Sequence, residues 1–493
     1  MVLSKPITKF AHRVTTVEEI PRIVSFAWRT AQSGIPGPVV VDFPIDVLFT
    51  PPRIGAISWG ALNCDPASEP GPNPAAIDQL VSIWRAAARP VIISGTGAAR
   101  TTSPASKNSP LLQLAEATNT PVFYSTKYSP AVPHSHPLRG GPAAVLAVLP
   151  FINQPQPDVV ILLGARTGWL LGGRAGVIIP NSNRTLVQVD IDGGEIGRLL
   201  PVDLGIVSDA NLFIAATLAK LKATGSEPFP THDDWVKTAG SLKSLPAPYE
   251  SQPTIMPDGH LHPWHAVKTL YAGLPEGSVI IIDGGEAGVW ASSAILESAR
   301  ASHTLVSTGY LGYLGNGWGY SLGAAIACPD RLVVNIQGDG SAGFHIAELD
   351  TYARHGCNVL TVVVNNYFWG MSAAGQDLLY GADEPARPVV ALSPVCRFDI
   401  VAQGFGCRGV KVQDSLQELE TAVRELTQTT EAGSGSQQRT TPALIDLIVS
   451  RNPFTEMTKA AVGKPQSAEE AKSLIVIPYY DNVPRPYYTS NGV

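Results

Sequence analysis

The chain has 493 residues, 44% hydrophobic and 15% charged, with 35 basic against 41 acidic side chains and a formal charge of −6. That composition suits a folded protein of two or three domains and excludes a disordered or fibrous chain and a basic nucleic-acid-binding surface. Five cysteines (Cys64, Cys328, Cys357, Cys396, Cys407) without a C-x-x-C pair argue against a disulfide framework or a zinc site. The start MVLSKPITKFAHRV has no apolar signal core, no apolar run approaches the ~20 residues that cross a bilayer, and the C-terminus carries no sorting tripeptide. The expected location is therefore cytoplasmic, without a membrane or nucleic-acid partner.

In chain order, apolar β-branched runs alternate with helical spacing, the pattern of stacked βαβ units, so the fold class is α/β with doubly wound parallel sheets. The first section, 1–60, is short: Val17–Gln32 has helical spacing, SGIPGP is a turn, and Val39–Val47 reads as a strand. A linker rich in proline follows over Pro66–Pro74. The middle section, 75–225, offers four strands in RPVIISGTGA, TPVFYST, DVVILLGARTGWLLGG and TLVQVDID. Proline returns over Ser244–Pro263, and the third section, 260–455, carries SVIIIDGG, HTLVSTGYLG, LVVNIQGDG, VLTVVVNN and PALIDLIVS. Glu431–Thr441 reads as a flexible loop and 456–493 as a polar, aromatic tail.

Two of these strands end unusually, one in Gly-Asp-Gly and the next in Asn-Asn. Ligands of open parallel sheets sit beyond the carboxyl ends of the strands, so Asp339 and Asn366 are expected side by side. A carboxylate, an amide oxygen, a backbone carbonyl and phosphate oxygens make the oxygen set that suits Mg²⁺. Gly338 and Gly340 would let the backbone approach a diphosphate, with the helix starting near Ser341 directing its amides there. Taken alone, GDG is more often a turn and NN a strand-terminal Asx turn. The combination, with 24 residues from Ser341 to Val364 between them, is far more specific.

That combination resembles the signature of thiamine-diphosphate-dependent enzymes. KFAHRVTTVEEIPRIV with GPVVVDFPIDVL, then PVIISGTGA, VPHSHPLRGG, VVILLGARTGW and VQVDIDGGEIGR, then GYLGYLGNGWGYSLGAAIA, GDGSAGF and NNYFWGMSAAGQ extend the resemblance over nearly the whole chain. It points to the acetolactate synthase-like group, nearest benzaldehyde lyase and the 2-hydroxyacyl-CoA lyases. The resemblance implies the end of a pyrimidine-binding domain in 1–60, a middle domain of nucleotide-fold type in 75–225 and a diphosphate-binding domain in 260–455. Gly95, Gly97 and Gly164 in the middle domain lack a full G-x-G-x-x-G and read as sheet-to-helix turns rather than a flavin site.

Carried onto this sequence, the resemblance implies thiamine diphosphate and Mg²⁺ as cofactors, with Asp339, Asn366 and the Phe368 carbonyl as metal ligands. Ser341 and Ala342 would donate amides to the diphosphate, and Gly285, Glu286 and Ala287 would line its other side, with Gly370 and Met371 also at the cofactor. Leu314 matches the bulky position that wedges between the cofactor rings, though an isolated leucine there would read as core. Leu314, Met371 and Trp369 form the expected substrate pocket, with Trp318 adding to its apolar character; Trp369 could equally be packing. The implied activity is lysis or ligation of a C–C bond next to a carbonyl, in a homodimer or homotetramer acting on a small carbonyl substrate. Alternatives are a 2-oxo acid decarboxylating carboligase of acetolactate synthase type and a non-catalytic homologue that binds or regulates. The family's activating glutamate is expected well before KFAHRV, and neither Glu18 nor Glu19 fits that place. An impaired enzyme is therefore expected, as a truncated chain, as one half of a shared site or as a non-catalytic relative.

Overall fold

A computed structural model describes residues 2–52, 62–99, 109–125, 135–223, 228–295, 301–309, 311–380, 389–427 and 441–456, with a few single residues between these ranges. The expected loop at 431–440 and the tail from 459 lie outside the described residues.

Three sheets result, and every strand pair in them is parallel. In the first section β1 (Phe10–Arg13) pairs with β2 (Val39–Asp42), linked by the helix Ile20–Gln32, a complete βαβ unit. The predicted strand to Val47 stops at Asp42, because Pro44 caps a short helix, Ile45–Phe49, in place of continuing the ladder. The helix Ile20–Gln32 buries Ile23 and Ala27 against the sheet and leaves Phe26 and Trp28 largely exposed.

The middle section forms a six-stranded sheet of β3 (Pro90–Ser94), β4 (Val122–Tyr124), β5 (Arg139–Pro142), β6 (Val159–Leu163), β7 (Thr185–Asp190) and β8 (Leu204–Val207). Their spatial order is β5-β4-β3-β6-β7-β8, the doubly wound order of nucleotide-binding folds. β5 and β8 were not among the four named strands: RGGP has no β-branched residue, and LGIV is only four residues long with a glycine inside it.

The third section holds β9 (Ser278–Ile282), β10 (Ala301–Val306), β11 (Val333–Gly338), β12 (Val359–Asn365), β13 (Arg408–Val412) and β14 (Ala443–Ile448), in the order β10-β9-β11-β12-β14-β13. β13 also escaped the sequence reading. RGVKV has neither a continuous apolar run nor a clean polar–apolar alternation, and it lies half-buried at the sheet edge.

Successive residues of the central strands face opposite cores. Ile280 and Ile282 pack with Trp264, Trp290 and Leu447, whereas Val279 and Ile281 pack with Trp318, Tyr352 and Leu444. Burial on both faces explains why these strands read as unbroken apolar runs. Among the described residues no helix is long and apolar enough to cross a membrane.

Candidate active site

The register of the third sheet pairs Ile282 with Ile336 and Gly338 with Val364, so β9, β11 and β12 end together. Asp339 and the Asn365-Asn366 pair thus emerge at one rim. The two asparagines diverge: Asn365 is fully buried and donates to Asp446 Oδ1 at 2.9 Å, whereas Asn366 is half-buried and lines a cleft. Asn366, the member expected beside Asp339, is the one that lines the cleft, because successive residues of the pleat face opposite ways.

Asp339 opens the short helix Asp339–His345, two residues earlier than the expected start near Ser341. Its side chain is buried, Oδ1 accepting from the Gly340 amide at 2.8 Å and Oδ2 from the Phe368 amide at 3.1 Å. Burial outweighs those amides and pushes the carboxyl up to about 7. Tyr367 adopts φ of 62°, a left-handed turn that costs a tyrosine some strain. Trp369 N donates to Val390 O at 2.8 Å and Leu392 N to Tyr367 O at 2.7 Å, so a bridge between Phe368 and Ala391 holds the turn.

Ser341 turns its hydroxyl inward: Oγ accepts from Gly338 N and bonds Gln337 Oε1 at 2.8 Å, which leaves its backbone amide as the group available to a ligand. Ala342 does not line the cleft; its side chain is in the core and its carbonyl accepts from Trp318 Nε1 at 3.2 Å. Gly340 lines the cleft and serves packing as well. A Cβ there would lie 2.7 Å from the Trp369 ring, so the missing side chain makes room for the indole. Trp369 therefore does both jobs, packing on Gly340 and lining the cleft.

The facing wall depends on Asp283, which sequence reading passed over. Fully buried at the end of β9, its carboxylate accepts from Gly284 N (2.6 Å), Ser307 Oγ (2.6 Å), Gly315 N (3.0 Å) and Gly317 N (2.6 Å). Those bonds fold the glycine-rich loop so that Leu314 projects into the cleft, half-buried and not in the core. Trp318, expected in the pocket, is instead completely buried beneath it against Tyr352. A carboxylate directly after an apolar strand and before Gly-Gly was the available signal.

Gly285, Glu286 and Ala287 line the other side, at the start of the helix Glu286–Ala294. Glu286 is buried, which raises its pKa; its oxygens accept from Thr455 N at 2.8 Å and from the Thr458 hydroxyl. Met371 packs against Gly285 and stays 38% exposed to the cleft. Leu170, from the middle section, and Arg451, Pro453 and Phe454, after β14, complete a cleft of about 410 Å³; none of these four was anticipated. Glu18 and Glu19 lie far down the chain from these walls and line no part of it.

A cation fits this donor set. Asp339, the Asn366 amide and the Phe368 carbonyl are hard oxygen donors, and the buried Asp339 carboxyl has amide partners but no counter-charge among them. Among the described residues no cluster of three or more His, Cys, Asp or Glu could hold a metal by itself. Ligand oxygens such as those of a diphosphate would complete the shell.

At the switch point of the middle sheet, between β3 and β6, three glycines bring the strand-to-helix turns into contact. Gly95 and Gly97 pack directly on Gly164, where a Cβ on Gly97 would sit 2.9 Å from the Gly164 Cα. The three glycines are turn and packing residues, as their spacing suggested.

Comparison with known proteins agrees with this geometry. Residues 77–218 match the thiamine pyrophosphate enzyme central domain and residues 283–446 the thiamine pyrophosphate enzyme C-terminal TPP-binding domain. The chain is similar to a probable acetolactate synthase of Mycobacterium bovis, 29% identical over 406 residues, covering 82% of this chain and 69% of that one. It is also similar to 2-hydroxyacyl-CoA lyase 2 of Caenorhabditis elegans, 27% identical over 499 residues, covering 92% and 73%. The fold is shared with benzoylformate decarboxylase from Polynucleobacter necessarius, with TM-score 0.69 at 22% identity over 92% of this chain and 77% of that one.

Proposed function

The chain belongs to the thiamine pyrophosphate enzymes, and we propose that it uses this cofactor with Mg²⁺ to break or make a C–C bond next to a carbonyl, in a 2-hydroxy ketone or 2-hydroxyacyl substrate. The observation that carries the proposal is the convergence of Asp339, Asn366 and the Phe368 turn with Leu314 and Met371 on one cleft. When bound, the cofactor supplies the electron sink for the carbon next to the carbonyl.

The chain's own residues do the rest. Asp339, Asn366 and the Phe368 carbonyl would hold the metal, and the Ser341 amide would receive the diphosphate from one side with the Gly285–Ala287 turn on the other. Leu314, braced by Asp283, would press on the cofactor rings, and Met371 and Trp369 would shield the reacting carbon from water. Among the described residues the two cleft carboxylates are already committed, Asp339 to the proposed metal and Glu286 to Thr455 and Thr458. Turnover by this chain is therefore expected to be slow unless a glutamate enters the site from elsewhere.

The test is product analysis. Purified protein with thiamine diphosphate and Mg²⁺ is given benzoin and a 2-hydroxyacyl-CoA in parallel, and released aldehyde is quantified. Aldehyde that depends on both cofactors supports the proposal. Acetolactate from pyruvate, with no aldehyde from either lyase substrate, replaces it with the decarboxylating reaction, and no binding of the cofactor removes both.

A further inference from the structure

We infer that Asp446, inside β14, is a positioning residue for the metal site: through Asn365 and Phe398 it holds the Tyr367–Phe368 turn in the shape that Mg²⁺ binding requires. The inference rests on the cofactor assignment above and concerns a residue outside every motif that pointed to it.

Asp446 is out of place where it stands. The other residues of β14, Ala443, Leu444, Ile445, Leu447 and Ile448, are apolar, and the strand is interior to the sheet and buried throughout. A carboxyl group at 0% exposure in such a strand costs stability unless its oxygens are bonded, whereas a leucine would pack there at no such cost. Both oxygens have partners. Oδ1 accepts from Asn365 Nδ2 at 2.9 Å and Oδ2 from the Phe398 amide at 3.2 Å.

The strand register makes the first bond. β12 and β14 run parallel with Val363 beside Asp446, and Val363 and Leu444 both belong to the core around Trp318 and Tyr352. Asn365 and Asp446 each lie two residues further along their strands, on that same face of the sheet. A backbone N–H can only donate, so Asn365 presents Oδ1 to the Tyr367 amide at 3.1 Å and turns Nδ2 to Asp446. Tyr367 is thereby held at φ of 62°, a left-handed conformation that persists in a tyrosine only where the surroundings impose it.

The second bond reaches the other part of the chain that grips this turn. Leu392 N donates to Tyr367 O at 2.7 Å and Trp369 N to Val390 O at 2.8 Å, so residues 390–392 clasp the turn. That strip leads on to the helix Phe398–Gly404, whose first amide is the one on Asp446. One carboxyl group therefore ties down both the strand end before the turn and the segment that clasps it. The turn in its place delivers the Phe368 amide to Asp339 Oδ2 and Asn366 Oδ1, so slack in the turn would release both side chains that are to hold the cation.

The test follows the turn with and without metal, in the parent protein and in Asp446→Leu, Asp446→Asn and Asp446→Leu combined with Tyr367→Gly. In metal-free protein, hydrogen exchange read by mass spectrometry should be about tenfold faster over residues 365–369 in Asp446→Leu, and parent-like over β9 and β11. Mg²⁺ titrated calorimetrically at a fixed excess of thiamine diphosphate should bind Asp446→Leu about tenfold or more weakly, the usual scale for a residue behind a metal ligand. Asp446→Asn, which keeps one acceptor oxygen, should fall between the two, and it carries the test if Asp446→Leu is not folded by circular dichroism. Tyr367→Gly should return part of the lost Mg²⁺ affinity, because glycine takes a left-handed φ without strain. A merely structural aspartate would lower the melting temperature alone. Parent-like exchange over 365–369, parent-like Mg²⁺ affinity, or a loss that Tyr367→Gly does not recover each overturns the inference. If the parent protein itself binds no thiamine diphosphate, the cofactor assignment fails, and the exchange measurement by itself decides whether Asp446 holds the turn.

Discussion

The Phe368 amide donates to Asp339 Oδ2 at 3.1 Å and to Asn366 Oδ1 at 3.0 Å, so one N–H ties together the ends of two adjacent strands. Both oxygens that would hold a cation are thereby aimed into the same space before any cation arrives. Such preorganisation keeps the loss of side-chain freedom on binding small.

Asp339→Asn should abolish Mg²⁺-dependent binding of thiamine diphosphate while leaving the fold native by circular dichroism. Because burial holds the Asp339 carboxyl up near 7, the folded metal-free protein retains a proton that the unfolded chain releases above about 4. Asp339 therefore favours the folded state below its unfolded pKa, and that contribution is lost as pH rises through about 7. Without metal, the parent should lose stability between these limits and Asp339→Asn should lose less. Parallel stability curves for the two proteins across that range count against the buried charge.

Leu314 lies on the cleft wall, so Leu314→Ala should cost less than the roughly 2–5 kcal/mol of a core truncation. Its effect should appear in turnover per folded molecule, at least tenfold lower, about 1.4 kcal/mol of transition-state stabilisation, with Leu314→Met tolerated. Asp283→Ala should reproduce the catalytic loss and also unfold earlier in urea, since four donors lose their acceptor. A Leu314→Ala protein that melts early yet turns over normally would return that leucine to the core.

Gly97→Ala should destabilise the protein by about 1–3 kcal/mol through overpacking against Gly164, measured by thermal unfolding. Cofactor affinity per folded molecule should not change. Flavin or nicotinamide nucleotides added to the parent protein should leave its melting temperature where it was.

His262 caps the helix Pro263–Gly273 as a neutral ring, its Nδ1 accepting from Trp264 N at 3.0 Å while Nε2 meets Gln252 Oε1 at 2.9 Å. Burial, with His265 nearby, lowers its pKa to about 4. The unfolded chain takes up a proton near 6.5 and the folded one does not, so this stabilisation is complete above 6.5 and is lost as pH falls toward 4. His262→Asn, which can still cap, should flatten the stability curve over that window in urea titrations at successive pH values.

The sequence by itself determined the α/β class, the apolar strands of the central sheets and the Asp339–Asn366 pair, because each is written locally. A strand buried on both faces must be a continuous apolar run, and polar residues at its end must leave the core together. Tertiary structure alone decided that Asn365, a single step along the pleat from Asn366, is buried against Asp446. It also decided that Trp318 is core while Leu314 is wall, through four bonds that Asp283 receives from residues up to 34 positions away. The edge strand β13 was illegible because it is only half-buried, so RGVKV carries neither the continuous apolar run of a central strand nor a clean alternation. Arg451 was equally silent, an arginine after a strand with nothing around it in sequence to mark it. Its place beside Phe368 comes from the parallel pairing of β12 with β14, which sets two distant strand ends on one rim.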